Sequence, residues 1–137
     1  DGDNYTENYY KDLLDANKNI IISSPAISGT KVYELINLLK EKQLSGVQIT
    51  IVTWAPDSYG FGDAAYWMQL HEDMCKAGFY IKTVEESCER FAVIDQEVVW
   101  YGNINLLAKD KVDDSIMRVL SKEIASELME ITFGDNG

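Results

Sequence analysis

The sequence predicts an α/β fold: a mixed, mainly parallel sheet flanked by helices on both faces. Three observations carry that prediction. Over the first 84 residues, short apolar runs alternate with segments of helical period, in the order helix, strand, helix, strand, helix, strand. Both early strand candidates are rich in β-branched residues, as strands covered on two faces are. The 137 residues, 46% hydrophobic and 26% charged, suffice for one ordinary core, so residues 1–137 read as one domain, excised from a longer protein.

The elements follow in order. Tyr9, Tyr10, Leu13 and Leu14 fall at helical spacing, with Asn4 three residues before Glu7 as a capping box. Residues 19–25 form an apolar run stopped by Pro25, which suits a buried strand. Over residues 28–42, Val32, Leu35, Ile36 and Leu39 lie at i, i+3, i+4 and i+7, and Gly46 is the stop signal. Residues 47–54 are strand-like, so the β-α-β order predicts a parallel pair. Residues 55–63, with Pro56, Gly60 and Gly62, then fall beyond the carboxyl end of a parallel strand, where open α/β sheets place ligands. They read as a site rim or as a plain connecting loop.

Trp67, Leu70 and Met74 mark the next helix, closed by Gly78, with Cys75 read as core and His71 as a partly exposed helix residue. Residues 79–84 read as a third strand, and residues 91–95 and 98–101 as a hairpin across Gln96-Glu97. Residues 115–120 give a last strand, and residues 122–131 a helix with Ile124, Leu128 and Ile131 on one face.

The charge narrows the function classes. Twelve Lys and Arg against 23 Asp and Glu give a net charge of −11, a surface that repels a phosphate backbone unless its few cations are gathered together. Glu85, Glu86 and Glu89, with Asp110, Asp113 and Asp114, read as solvated acid. No apolar run approaches the roughly 20 residues that span a bilayer, so the reading is a cytoplasmic protein with no membrane partner. Two cysteines and one histidine cannot make a four-ligand zinc site within one subunit, so no metal and no other cofactor is expected. Neither cysteine starts a C-x5-R phosphatase loop, because Ile81 and Ile94 occupy the required positions.

The stretch that carries chemistry is Cys88-Glu89-Arg90-Phe91-Ala92-Val93-Ile94-Asp95, followed by Gly102-Asn103-Ile104-Asn105. It resembles the phospholipase D superfamily signature, H-x-K-x4-D then G-S-x-N. Cys88 stands at the His position, Arg90 at the Lys position and Asp95 at the Asp position, while Gly102 and Asn105 match directly and Asn103 replaces the Ser. The resemblance extends over most of the chain and is greatest to the single-motif domains attached to bacterial helicases and nucleases.

In that family the His attacks phosphorus to form a covalent intermediate, the Lys holds the non-bridging oxygens, and the Asp and Asn orient the assembly. A second motif supplies the His that protonates the leaving oxygen, and no metal is needed. The resemblance therefore implies a site shared across a two-fold homodimer. It also implies Cys88, Arg90, Asp95, Asn103 and Asn105 as the degenerate catalytic set, with Arg90 and Asn105 binding phosphate. A thiol, with a free pKa of about 8.5, becomes a nucleophile beside a cation, and Arg90 is two residues away. The same thiolate is a poor acid for the leaving group, so Cys88 reads either as a nucleophile or as a small residue filling the histidine's space.

For Arg90 the alternatives are bidentate phosphate binding and a salt bridge to Asp95 or a nearby Glu. Asp95 and Asn105 also suit turns that bond the local backbone. The leading functional expectation is a catalytically silent module of a helicase-related protein that binds a partner, phosphodiester or nucleic acid. The alternative is a metal-independent phosphodiesterase or nuclease with Cys88 as nucleophile.

Overall fold

The computed structural model describes residues 2–55, 64–85, 88–102, 106–107 and 116–134, and for residues 2–4 the backbone alone. The elements are α1 (Gly2–Leu14), β1 (Asn19–Ser23), α2 (Gly29–Leu44), β2 (Gln48–Trp54), α3 (Ala64–Lys76), β3 (Tyr80–Val84), β4 (Phe91–Ile94), β5 (Val98–Gly102), β6 (Ile116–Leu120) and α4 (Lys122–Phe133). They form a six-stranded sheet of order β3-β2-β1-β4-β5-β6. The β1–β2 and β2–β3 pairs are parallel, and β1–β4, β4–β5 and β5–β6 are antiparallel. The expected α/β half-unit is present, but its sheet is mixed rather than mainly parallel. The shift comes from β4, which docks on β1 in reverse and is joined to β5 by three residues, so these two pairs are antiparallel.

Alternation along β1 divides the molecule into two layers. Ile20 and Ile22 face a core shared with Tyr9 and Leu13 of α1, Val32, Leu35 and Leu39 of α2, and Leu70 and Met74 of α3. Ile21 faces the other way, with Val52, Phe91, Val93 and Val99, and α4 covers this side through Ala125, Ile124, Leu128 and Phe133. Among the described residues three helices thus lie on one face and one on the other. Each fully buried Leu or Ile contributes roughly 1.5–3 kcal/mol, so the three-helix face anchors the fold.

The local signals explain most boundaries. Ser28 caps α2 by accepting the Lys31 amide, and Ser121 caps α4 by accepting the Ile124 amide. Gly46 and Gly78, at φ +103° and +93°, take the left-handed conformation that turns the chain out of α2 and α3. At the other end Asn4 is not a cap, because α1 already starts at Gly2. Cys75 is exposed, correcting its reading as core: the buried stripe of α3 runs through Leu70 and Met74, and the next residue is turned about 100° away. The hairpin loop has three residues rather than two, since Ile94 pairs with Val98, and Asp95 and Gln96 adopt φ of 56° and 60°.

Asp12 of α1 fastens the opening helix to the far strands. Its carboxylate accepts the Trp100 indole N–H at 2.8 Å and the Arg118 guanidinium at 2.6 and 3.1 Å. Trp100 stacks edge-on against Tyr9 at 5.6 Å, so the same ring is held by polar and aromatic contacts.

A candidate anion site at the carboxyl end of the parallel strands

Because β4 runs against β1, the residues that lead into it meet the carboxyl ends of β1 and β2. Ser23, the last residue of β1, pairs with Phe91. Its buried hydroxyl donates to the Glu89 carbonyl at 2.6 Å and lies 3.6 Å from the Cys88 sulfur. The sulfur is also 3.8 Å from the Glu89 carbonyl and 4.0 Å from the Val52 carbonyl, and it packs against the apolar core beneath α4. Thr53, fully buried, donates to the Pro25 carbonyl at 3.0 Å and fixes the chain leaving β1.

That surrounding keeps Cys88 a thiol. Burial pushes its pKa up, and Glu89 adds to the rise, while the Ser23 hydroxyl and the Arg90 guanidinium pull down without offsetting it. The single Ser23 hydroxyl hydrogen already serves Glu89, and the other near atoms are carbonyl oxygens, which accept from a thiol and repel a thiolate. Arg90 is exposed, and among the described residues it has no hydrogen bond or ion pair, so no salt bridge joins it to Asp95, Glu85 or Glu89.

Asp95 sits at the opposite end of β4. Its carboxylate accepts the backbone amides of Asn17, Lys18 and Asn19 at 2.7–3.2 Å, at the amino end of β1. Since Asn19 and Ser23 bound that strand, the two motif ends are about 13 Å apart along it. The structure therefore brings Cys88 to Ser23, leaves Arg90 exposed at the same end of β4 and holds Asp95 in the scaffold. Gly102, one residue past the Tyr101 that pairs with Phe91, returns to the Cys88 end. Beyond it, the Leu107 amide donates to Ser24 Oγ at 3.1 Å, and the Leu107 carbonyl accepts the Ser28 amide at 2.8 Å. Asn103 and Asn105 lie outside the described residues, as do the rim at 56–63, Glu86, Asp110, Asp113 and Asp114.

His71 does not join this site, since α3 packs on the other face of the sheet from Cys88. Its Nε2 is buried without a partner among the described residues, and burial lowers its pKa. Among the described residues no three His, Cys, Asp or Glu side chains are placed to hold a metal ion. Sequence reasoning missed Ser23 and Thr53, whose signal was polar residues at the ends of two otherwise apolar strands.

Comparison with known proteins fits this geometry. Residues 9–133 match the family described as "Cardiolipin synthase, PLD-like domain". The chain belongs to the phospholipase D-like family. Among solved structures it is similar to Nuc of Salmonella typhimurium, a phospholipase D family member, at 13% identity and TM-score 0.65, covering 92% of this chain and 82% of that one. It is similar to NucT of Helicobacter pylori at 9% identity and TM-score 0.62, covering 95% and 86%. It is also similar to TrmBL2, an archaeal chromatin protein with a novel mode of DNA binding, at 14% identity and TM-score 0.67, covering 96% of this chain and 47% of that one. At these identities the likeness is one of fold. No curated protein sequence matches. Among the described residues no helix is long and apolar enough to cross a membrane.

Proposed function

We propose that this domain is a degenerate phospholipase D-like module that keeps an anion-binding end and lacks the hydrolytic chemistry. In this reading it serves a larger, helicase-related cytoplasmic protein, dimerising or docking a partner through the Cys88–Arg90 end of the sheet. The observation that carries it is the contrast between two neighbouring side chains: a thiol kept neutral by burial, and an exposed guanidinium with no partner among the described residues. A neutral thiol is a weak nucleophile, whereas a free guanidinium still offers phosphate a bidentate donor. The larger setting is supported by TrmBL2 and by the phosphatidylserine synthase of Haemophilus influenzae, where the matched unit is 47% and 35% of longer chains. The helicase link rests on the resemblance of the motif stretch alone.

In this reading Arg90 and Asn105 bind the phosphate. A phosphodiesterase or nuclease reading would need Cys88 as the thiolate, in a site completed by a second copy. Titration of a short oligonucleotide against wild type and Arg90→Ala tests the anion site: the expected result is an affinity loss of about tenfold, and equal affinities would overturn it. Sedimentation at high protein concentration tests the dimer, and a persistent monomer would remove it.

A further inference from the structure

A second polar recess lies at the opposite end of the sheet, away from Cys88. It is a cavity of about 390 Å³ lined by Lys18, Asp95, Gln96, Glu97, Lys122, Ser126 and Met129. Three separate elements meet there: the turn after α1, the β4–β5 turn and the first turns of α4.

The wall is fixed by strain and by hydrogen bonds. Asp95 and Gln96 both hold left-handed conformations, which side-chain-bearing residues adopt at a cost. The Asp95 carboxylate keeps them there by accepting the amides of Asn17, Lys18 and Asn19, and the Ser121 amide donates to the Glu97 carbonyl at 2.8 Å, bringing α4 onto the same turn.

The recess holds two lysines and two carboxylates, Asp95 and Glu97, and the hydrogen bonds on Asp95 occupy its acceptor sites without removing its charge. Asp95 already has three amide donors. Neither lysine is neutralised: the ion pairs of the described residues are Lys31–Glu34 and Arg118–Asp12. Lys122 is the first residue of α4, where the helix adds positive potential. Two lysines from different elements, neither in an ion pair among the described residues, therefore line one recess in a chain of net charge −11. Glu97, Gln96 and Ser126 supply acceptors and donors for hydroxyl groups, and Met129 supplies an apolar patch.

We propose that this recess binds a small phosphomonoester, its phosphate held between Lys18 and Lys122 and its hydroxyl groups by Glu97, Gln96 and Ser126. The volume suits a ligand of a few carbons, not a polymer. The site is separate from the Cys88–Arg90 end, although Asp95, the motif's aspartate, is one of its lining residues.

Amide shifts in ¹H–¹⁵N spectra of the whole chain test it, with glycerol 3-phosphate and inorganic phosphate titrated separately at constant ionic strength. The expected result is a saturable shift at Lys18, Gln96 and Lys122, weakened about fivefold by Lys18→Ala or Lys122→Ala and unchanged by Arg90→Ala. Glycerol 3-phosphate is expected to bind more tightly than inorganic phosphate. Equal or tighter binding of inorganic phosphate would overturn the ester assignment. The absence of a saturable shift, or shifts indifferent to both lysine substitutions or confined to residues near Arg90, would overturn the site itself.

Discussion

The two ends of β4 carry residues of one motif and use them in opposite ways. At the amino end of β1, Asp95 has its carboxylate filled by three backbone amides, and it holds a left-handed turn in place. At the carboxyl end, Arg90 is exposed and has no partner among the described residues, while the neighbouring thiol is turned into the core. A motif read as one catalytic unit thus separates into a structural part and an accessible part. Spacing alone does not distinguish a residue that builds the strand from one that is left exposed.

Substitutions at the two ends sharpen this contrast. The largest expected effect is at the filled end: Asp95→Ala leaves three amides without their acceptor and places alanine at a positive φ. It should cost about 3 kcal/mol in denaturant unfolding, with Asp95→Asn costing about half. A loss for Asp95→Ala below about 0.5 kcal/mol would break the comparison. Asp12→Ala, which strips the partner from Trp100 Nε1 and Arg118, should cost about 2 kcal/mol by the same measurement. Arg90→Ala should leave stability within about 0.5 kcal/mol of wild type, as an exposed and unpaired residue does.

The smallest effect is one of pH. Burial lowers the His71 pKa, so the unfolded chain takes up the proton first as pH falls. This contribution to stability is fully present above the free histidine value of about 6.5 and is lost as pH falls from there toward the lowered folded value. Urea unfolding between pH 7.5 and 5 should therefore fall less steeply for His71→Gln than for wild type. Parallel curves would show that the ring titrates alike in both states.

Local pattern made much of this fold legible. The apolar run at Ile20-Ile21-Ile22 and the spacing of Val32, Leu35 and Leu39 located β1 and α2 because burial imposes those periods. The 88, 90 and 95 spacing located the motif strand. What escaped was set by contacts distant in sequence. Asp95 meets its amides across 76–78 residues, and Asp12 meets Arg118 across 106. The antiparallel balance of the sheet depended on where β4 docked, and the exposure of Cys75 on how α3 was rotated. Ser23 was visible only as a strand end, although its hydroxyl sets the surroundings of Cys88.

In the proposed reading the Cys88–Arg90 end holds anions without attacking them. The most direct test is EDTA-resistant hydrolysis of an aryl phosphodiester by wild type, Cys88→Ser and Cys88→His, assayed together. The expected result is no turnover by wild type or Cys88→Ser, with any activity arising only in Cys88→His, where an imidazole regains the family's nucleophile position. Turnover by wild type that disappears in Cys88→Ser would contradict the claim and make the thiol a working nucleophile.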